Sequence, residues 1–386
     1  MNTSPALRIL HLVATYRWTG VAEPATSLAL HQLRASCMVE MAALWGFSFE
    51  QVLQQREVPM ARDLIIERHI NPISEWADIR KLRVYLEEHH FDIVHCHLIH
   101  DHWVAAMAIR GMAPDKRPRL IRTVHRFEKM RRDPFHHILF ERMTDLVITV
   151  SEAQKKIIET ALPKLSERLR VIHGGVDPER YRPDLDGASA VRADMGEKPA
   201  TQVAAIVAHL GYKRGHHWLL KAAPAAMAKL PHATIWIVGS GEIGEDLRKE
   251  LRDERYRKQV VMAGYRKDDL PELYATINVG LLLALGSEGS ARAALECMAA
   301  GHPVIAVAKG ALLDTITHGH DGLLVPENDV EALTRALIDL LGDPEKSRQM
   351  GLNARQTILA RFTEEHRAEK TLQAYREILA APRAKS

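Results

Sequence analysis

Short apolar runs alternate along the chain with longer segments in which apolar residues recur every three or four positions. The short runs are typical of buried strands, and the longer spacing is typical of helices with one apolar face. Because the two patterns alternate from end to end, we predict parallel sheets covered by helices. The predicted strands are Leu7 to Ala14, Met38 to Trp45, Phe91 to His97, Leu120 to His125, Leu146 to Val150, Leu169 to His173, Gln202 to His209, Ala233 to Val238, Val260 to Gly264, Val279 to Leu285, Val304 to Ala308 and Leu323 to Val325.

The chain of 386 residues is long for one core, and its strands form two sets. Between the sets, the stretch from Tyr181 to Pro199 is rich in turn and polar residues and has no strong periodicity. Thr363 and Glu365 indicate a new helix start near the end. We therefore predict an N-terminal Rossmann-like domain (1–180), a linker (181–200), a C-terminal Rossmann-like domain (201–362) and a final helix (363–386).

Composition narrows the function classes. The formal net charge is +3, so bulk electrostatics does not indicate a nucleic-acid partner. Three cysteines, widely spaced and odd in number, favour a reducing compartment. The apolar run from Ile9 to Ala14 is too short for a signal peptide, and no stretch approaches the length of a membrane span. We expect a cytoplasmic protein, peripheral to a membrane at most.

Two glutamates flank a predicted helix start. Val279 to Leu285 leads into a loop with Glu288, and Glu296 lies in the following helix. Small residues at 289–291 let a phosphate approach the free backbone N–H groups, where the helix dipole favours negative charge. Carboxylates roughly 10 to 12 Å apart can accept hydrogen bonds from hydroxyls on either side. Two solvated charges are the alternative, but ligands bind at such strand ends. The layout fits a nucleotide-linked sugar.

A glycine-rich turn, Gly239-Ser-Gly-Glu-Ile-Gly244, formally fits the dinucleotide-binding fingerprint. An NAD site would need an acidic residue about 20 positions later, at the end of the next strand, to bind ribose. The next strand ends Met262-Ala-Gly-Tyr-Arg266 and has none. We therefore do not interpret this turn as an NAD site.

The cluster from His95 to His102 contains potential zinc ligands. Its spacing resembles the H-x-H-x-D-H pattern of metal-dependent hydrolases, but Ile99 occupies the position that needs aspartate. We predict no metal there.

Taken together, the motifs resemble retaining glycosyltransferase family 4, also called glycosyltransferase group 1. The resemblance covers most of the chain and implies the GT-B fold, an α/β architecture of two Rossmann-like domains facing an interdomain cleft. It also implies a C-terminal helix that crosses back to the N-terminal domain. The motifs that carry it are Glu288 and Glu296 with seven residues between them, Pro303-Val-Ile-Ala306, Asp92-Ile-Val-His95-Cys-His97 and Gly319-His-Asp-Gly-Leu-Leu-Val-Pro326.

On the donor side, the resemblance implies two cations that neutralise the leaving diphosphate. His209 stands at the family's arginine position and Arg214 at its lysine position, so Lys213 is a candidate for the missing cation. Arg214, Lys213 and Glu288 are the predicted catalytic residues of this domain. The expected donor-binding residues are Gly20, His209, Gly239, Gly264, Tyr265, Arg266, Glu288, Gly289, Ser290, Ala291, Arg292 and Glu296. Gly20 is expected at the donor phosphates, residues 264–266 at the base through backbone contacts, Glu288 at the sugar hydroxyls and Glu296 at the ribose. Arg292 is expected either to orient one of the two glutamates or to contact the substrate.

On the acceptor side, His125 matches a family histidine beside the reacting centre, where its ring can orient the acceptor hydroxyl. We predict it as a fourth catalytic residue. The segment from Arg126 to Phe140 interleaves cations and aromatic rings, which suits an anionic or lipid-linked acceptor, a membrane surface or, equally, a solvated helix. The expected acceptor-binding residues are His97, Arg126, Arg131 and Arg132.

The resemblance thus predicts a retaining, metal-independent hexosyltransferase that needs no cofactor. Its donor would be a nucleotide-diphosphate sugar, with UDP-sugars favoured, although Gly310-Ala-Leu-Leu-Asp314 departs from the family pattern and leaves donor identity open. The acceptor would be a hydroxyl of a cell-envelope glycolipid, polysaccharide or lipid-linked precursor, reached at the inner face of the membrane. A non-catalytic nucleotide-sugar-binding protein and a metal-dependent hydrolase are the alternatives.

Overall fold

The computed structural model describes residues 6–15, 18–66, 71–127, 129–198, 200–256, 259–284 and 288–383, with the backbone alone described for 288–291. The chain divides into two compact units. One comprises Met1–His173 together with Glu364–Ser386, and the other comprises Gly174–Thr363.

The first unit is built on a six-stranded parallel sheet. Its strands are β1 (Arg8–Leu12), β2 (Met38–Ala42), β3 (Ile93–Cys96), β4 (Arg119–Val124), β5 (Leu146–Thr149) and β6 (Leu169–Val171). They lie in the order β2-β1-β3-β4-β5-β6. The chain order therefore reverses between β1 and β3, and in α/β sheets ligands bind at the carboxyl ends of strands beside such a switch point.

The second unit holds another six-stranded parallel sheet. Its strands are β7 (Gln202–Val207), β8 (Ala233–Val238), β9 (Val260–Gly264), β10 (Val279–Leu282), β11 (Val304–Val307) and β12 (Gly322–Val325). The order β12-β11-β10-β7-β8-β9 places the switch point between β7 and β10. All the predicted strands are confirmed, most of them a few residues shorter than predicted.

Helices connect the strands throughout the described ranges. They are α1 (Ala22–Arg34), α2 (Ser48–Gln55), α3 (Pro72–His89), α4 (Ile99–Arg110), α5 (Pro134–His136), α6 (Glu152–Ala161), α7 (Ala188–Asp194), α8 (His216–Met227), α9 (Gly244–Glu250), α10 (Leu270–Thr276), α11 (Glu288–Ala299), α12 (Ala311–Thr315), α13 (Val330–Gly342), α14 (Pro344–Arg361) and α15 (Glu364–Ala380). Within those ranges, none combines the length and the apolar character needed to cross a bilayer.

Strand periodicity gives the first sheet two different faces. In β1 and β3, even-numbered residues such as Leu10 and Val94 belong to a core that also contains residues of α3 and α4. Odd-numbered residues such as Ile9 and Ile93 belong to a second core, shared with α1 and α15. His11 pairs in register with His95, so both side chains lie on the second face.

The last helix packs on the first unit, as the GT-B resemblance implied. Tyr375 and Leu372 of α15 are buried in the core shared with α1. Arg367 donates a hydrogen bond to the carbonyl of Pro24 in α1 (2.7 Å) and pairs with Glu364 (2.6 Å).

The predicted linker differs from the structure. Residues 181–200 fall inside the second unit, because Tyr181 and Val191 are buried in its core. Arg192 of α7 also donates to the carbonyls of Thr201 (2.9 Å) and Thr276 (2.8 Å). The polar composition of this stretch therefore marks a solvated surface over a docked helix and not a free linker.

Candidate functional site

A basic turn follows β7 and lies against the end of β10. Gly215 has φ +82°, and a Cβ added to it would lie 2.5 Å from the Leu283 Cβ. The amide of Arg214 donates to the carbonyl of Gly211 (3.1 Å), which closes the turn. Lys213 and Arg214 are thereby held beside the switch point of the second sheet. The close approach requires glycine at position 215.

His209 is engaged by a carboxylate that the sequence reasoning missed. Its Nε2 lies 2.7 Å from Oε2 of Glu242, and both side chains are exposed. Hydrogen bonds from the Glu242 backbone amide and from His209 hold the pKa of Glu242 below its usual value. A protonated His209 would therefore be paired already. Lys213 and Arg214 remain the cations predicted for diphosphate neutralisation in this turn.

Helix α11 begins at Glu288 itself, and not after a loop that carries it. Glu288 therefore occupies the first turn of the helix that follows β10. The side chains of Glu288, Gly289, Ser290 and Ala291 lie outside the described residues, so their predicted ligand contacts stay predictions.

Glu296 is buried in a polar cluster of the second unit. Arg292 donates from Nε to its Oε1 at 3.0 Å. Burial, reinforced by the Glu296 charge, raises the pKa of the Tyr181 and Tyr274 phenols. Of the two roles predicted for Arg292, the structure shows that it contacts Glu296. These neighbours fix the Glu296 carboxylate, whose predicted contact with ribose stays a prediction.

The glycine-rich turn after β8 packs tightly against the turn after β7. Gly239 has φ +145°, and a Cβ there would lie 2.0 Å from the carbonyl oxygen of Ala208. A Cβ on Gly241 would lie 2.4 Å from the carbonyl oxygen of Leu210. Both glycines are explained by contact between two turns, independently of any phosphate.

Replacing Gly239 with alanine is expected to lower the free energy of unfolding by roughly 3 kcal/mol or more, because a backbone oxygen must move. Gly196→Ala is the matched control, since Gly196 has φ +71° and open space around a Cβ, and it should lose only about 1 kcal/mol. Urea denaturation measures both. Equal losses would mean that backbone conformation, and not the clash, explains the effect.

Gly264, which ends β9, and the two residues after it have different surroundings. Gly264 has φ +74° with open space around it, and Tyr265 is exposed. The Arg266 guanidinium contacts the carboxylates of Asp194 and Asp269. The Arg266 side chain is therefore committed to the protein, which leaves the predicted backbone contacts to the base as its available role.

In the first unit, Gly20 lies in an exposed turn just before α1. The Thr19 hydroxyl accepts a hydrogen bond from the Ala22 amide (3.3 Å) at the start of that helix. Gly20 is therefore next to a helix N-terminus, as its predicted phosphate contact requires.

A buried chain of imidazoles ends at His125. His125 Nε2 lies 2.9 Å from His97 Nδ1, and His97 Nε2 lies 3.0 Å from His11 Nδ1. His11 Nε2 lies 2.7 Å from the side-chain oxygen of Gln32. Burial lowers the pKa of His11 to about 4 and that of His97 well below its usual value. These rings are therefore neutral at neutral pH.

The hydrogen-bonded chain of imidazoles contradicts the acceptor-binding role predicted for His97. Both of its ring nitrogens are bonded to other histidines and the residue is 2% exposed, so it supports His125 and does not contact an acceptor. His95 lies beside it, with Nδ1 2.5 Å from the Tyr375 hydroxyl and Nε2 2.7 Å from Thr123 Oγ1.

His11, His95 and His97 are the potential metal-ligand group found among the described residues. One nitrogen from each lies within 4.8 Å of the others. The hydrogen bonds of 2.5–3.0 Å already engage both nitrogens of every ring. A metal ion would have to replace several of them.

Asp101 ties the ends of β1 and β3 to the start of α4. Its carboxylate accepts hydrogen bonds from the amides of Leu98 (2.9 Å), His97 (3.4 Å) and Ala14 (3.4 Å). Burial raises its pKa to about 7, against the opposing charge of Arg122. This network holds the backbone of His97.

A groove of about 800 Å³ opens beside Val124, the residue before His125. Arg131 lines it, whereas Arg126 and Arg132 are exposed and are not among its lining residues. Arg131 Nε lies 3.4 Å from Asp133. The apolar lining is Ile99, Trp103, Val124, Met130, Pro134, Phe135 and Phe140, and the polar lining is His100, Arg122, Lys129, Arg131, Asp133 and His136.

Comparison with protein families matches both units. Residues 20–180 match "Glycosyltransferase Family 4", and residues 189–357 match "Glycosyl transferases group 1". The chain belongs to glycosyltransferase family 4.

Relatives and solved structures agree with this family 4 assignment. A GDP-mannose-dependent alpha-(1-6)-phosphatidylinositol monomannoside mannosyltransferase of Mycolicibacterium smegmatis is 30% identical over 224 residues. That match covers 56% of this chain and 58% of the relative, less than two thirds of its length.

A glycosyltransferase of Rickettsia africae ESF-5 has a TM-score of 0.84 at 18% identity, covering 98% of this chain and 100% of that one. HepE of Anabaena in complex with UDP has a TM-score of 0.78 at 19% identity, covering 96% and 100%. The fold of this family 4 chain is GT-B.

Proposed function

We propose that the protein transfers a sugar from a nucleoside-diphosphate sugar to a hydroxyl acceptor, with retention at the anomeric carbon. The observation that carries this proposal is the basic turn with Lys213 and Arg214, held by Gly215 against the end of β10. Glu288 begins the helix that follows the same strand. Cations, a helix N-terminus and a carboxylate thus belong to one switch point.

Each part has a distinct chemical task. Arg214, Lys213 and the first N–H groups of α11 stabilise the diphosphate charge that develops as the sugar–phosphate bond breaks. Glu288 binds sugar hydroxyls, and Glu296, fixed by Arg292, binds the ribose. The acceptor hydroxyl attacks the anomeric carbon on the face that the diphosphate leaves. A diphosphate oxygen takes the hydroxyl proton.

The same arrangement supports metal independence. Arginine carries a permanent charge and two parallel donors suited to a phosphate. The diphosphate is therefore neutralised by side chains and backbone amides. Transfer should continue in excess EDTA, and loss of activity with stoichiometric zinc in the purified protein would favour the hydrolase alternative.

The groove beside Val124 supports an amphiphilic acceptor. Apolar rings such as Trp103 and Phe135 line it, and so do the cations Lys129 and Arg131. A lipid or lipid-linked glycan with an anionic head group combines both properties. The Mycolicibacterium relative is named for a phosphatidylinositol monomannoside, which agrees with this acceptor class. Peripheral contact with the inner face of the membrane follows from it.

Donor choice is the first experiment. UDP-sugars are the donors favoured from the sequence, and HepE binds UDP, but the relative is named GDP-mannose-dependent. We expect one of UDP-glucose, UDP-N-acetylglucosamine, GDP-mannose and ADP-glucose to raise the Tm of the protein. A ligand that binds only the native state, at a concentration 100 times its Kd, raises the free energy of unfolding by about 2.7 kcal/mol.

Transfer is then assayed with the stabilising donor and phosphatidylinositol vesicles or an alkyl glycoside as acceptor. NMR of the product should show the anomeric configuration of the donor. An inverted product would overturn the retaining mechanism. Donor binding without hydrolysis or transfer to any offered acceptor would favour the non-catalytic binding protein. The pairing of His209 with Glu242 motivates this alternative, because it engages the residue at one of the two cation positions.

A further inference from the structure

Two imidazoles connect the sheet interior to His125, the candidate residue beside the acceptor hydroxyl. Gln32 lies at the far end of this chain, and His11 and His97 lie between. Gln32, His11 and His97 are all at most 2% exposed, and His125 is 5% exposed. A neutral imidazole carries one N–H and one bare nitrogen, so each ring passes its orientation to the next.

The Tyr375 hydroxyl determines which atoms donate and which accept along this chain of hydrogen bonds. It lies 2.5 Å from His95 Nδ1, and a phenol is a much stronger acid than the N–H of a neutral imidazole, so the phenol donates in so short a contact. The phenol oxygen then accepts from the Gln32 amide nitrogen (3.5 Å). This orientation points the Gln32 carbonyl oxygen at His11 Nε2 (2.7 Å).

We propose that Gln32 is a positioning residue that fixes the tautomer of His125 through His11 and His97. The Gln32 oxygen can only accept, so His11 carries its proton on Nε2 and accepts on Nδ1. His97 donates from Nε2 to that atom and accepts on Nδ1. His125 donates from Nε2 to His97 and keeps Nδ1 as its acceptor atom.

The inference deepens the proposed function and rests on it, since an unprotonated Nδ1 gives the His125 ring an acceptor atom for a hydroxyl hydrogen bond. The surrounding charges agree with neutral rings. Arg122 on β4 and Arg367 on α15 both disfavour protonation of His95. Asp101 on α4 lies beside the His97 backbone and has a pKa raised to about 7, so its negative charge is partly neutralised near neutral pH.

Two replacements at Gln32 separate tautomer control from packing. Gln32→Met keeps the size of the side chain but removes the acceptor, and Gln32→Glu keeps an acceptor oxygen. With the donor that stabilises the protein, Gln32→Met should lower kcat about 10-fold and leave the KM for the donor unchanged. Gln32→Glu should keep most of the kcat of the parent protein at neutral pH. Unchanged kcat in Gln32→Met would overturn the positioning role.

Nitrogen NMR of ¹⁵N-histidine-labelled protein tests the tautomer without any assay of activity. In the unsubstituted protein, His11, His97 and His125 should each be protonated on Nε2, and Gln32→Met should give mixed tautomers. Protons on Nδ1, or no change in Gln32→Met, would overturn the inference. Because this readout needs no turnover, it stands even if the protein proves to bind donor without transferring sugar.

Tyr375→Phe is the second variant, in case Gln32→Met does not fold. It removes the hydroxyl that orients the Gln32 amide and leaves the apolar ring in the core. The same mixture of tautomers is expected. A purely Nε2-protonated chain in Tyr375→Phe would contradict the direction assigned to Gln32.

Discussion

Replacing Glu288 with glutamine should lower kcat/KM for sugar transfer about 1,000-fold, a loss of about 4 kcal/mol in transition-state stabilisation. Glu288 begins α11, the helix that follows β10 at the switch point of the second sheet. In the proposed mechanism, this carboxylate accepts hydrogen bonds from sugar hydroxyls as positive charge develops at the anomeric carbon. Glutamine keeps the shape but loses that charge, and steady-state kinetics with the cognate donor measures the effect.

Glu331→Gln is the control for Glu288→Gln. Glu331 lies in the first turn of α13 in the same unit, with an exposed side chain 3.5 Å from Arg335. Its replacement should leave kcat/KM unchanged, and both variants should keep the Tm of the parent protein. Near-normal turnover of Glu288→Gln would remove Glu288 from the active site.

Arg214→Ala should lower kcat roughly 100- to 1,000-fold, the range seen when one preorganised donor to a developing anion is removed. The leaving diphosphate gains charge in the transition state, and its second cation is weakened here because His209 pairs with Glu242. Arg214→Lys should recover part of the rate, since lysine keeps the charge without the parallel pair of donors.

Arg348→Ala controls for the loss of a surface arginine. Arg348 is exposed on α14 and pairs with Glu345 at 2.6 Å. It should have normal kcat. A rate for Arg214→Ala within a few-fold of this control would show that Lys213 or the helix start neutralises the diphosphate without Arg214.

The strands were predictable because parallel sheets buried on both faces need short apolar runs, and every such run became a strand. The error in the predicted linker has the same origin. Val191 is the one large apolar residue of α7, too little for a periodic signal, yet it docks α7 on the second core. Tertiary contacts determine that this segment packs on the second unit, and local composition could not predict it.

The candidate site was predictable wherever a motif followed a strand end. His125, Arg214 and Glu288 were predicted as site residues in this way, and their roles stay predictions. The partners of those residues were not, because they come from distant parts of the chain. Gln32 and Tyr375 are separated by 343 positions, and no local spacing links them. Alternation along β1 predicts that His11 lies on the same face as Ile9. It does not predict which residue His11 contacts.

The placement of α15 sets an order for folding during synthesis. The first sheet is complete by Val171, but the helix that covers one of its faces begins at Glu364, after the whole second unit. The second unit is continuous in sequence and can close while the first still exposes that apolar face. His95 therefore receives its Tyr375 hydroxyl only after the whole second unit has been synthesised. Synthesis and docking of α15 is then the step that completes the buried contacts of the first unit.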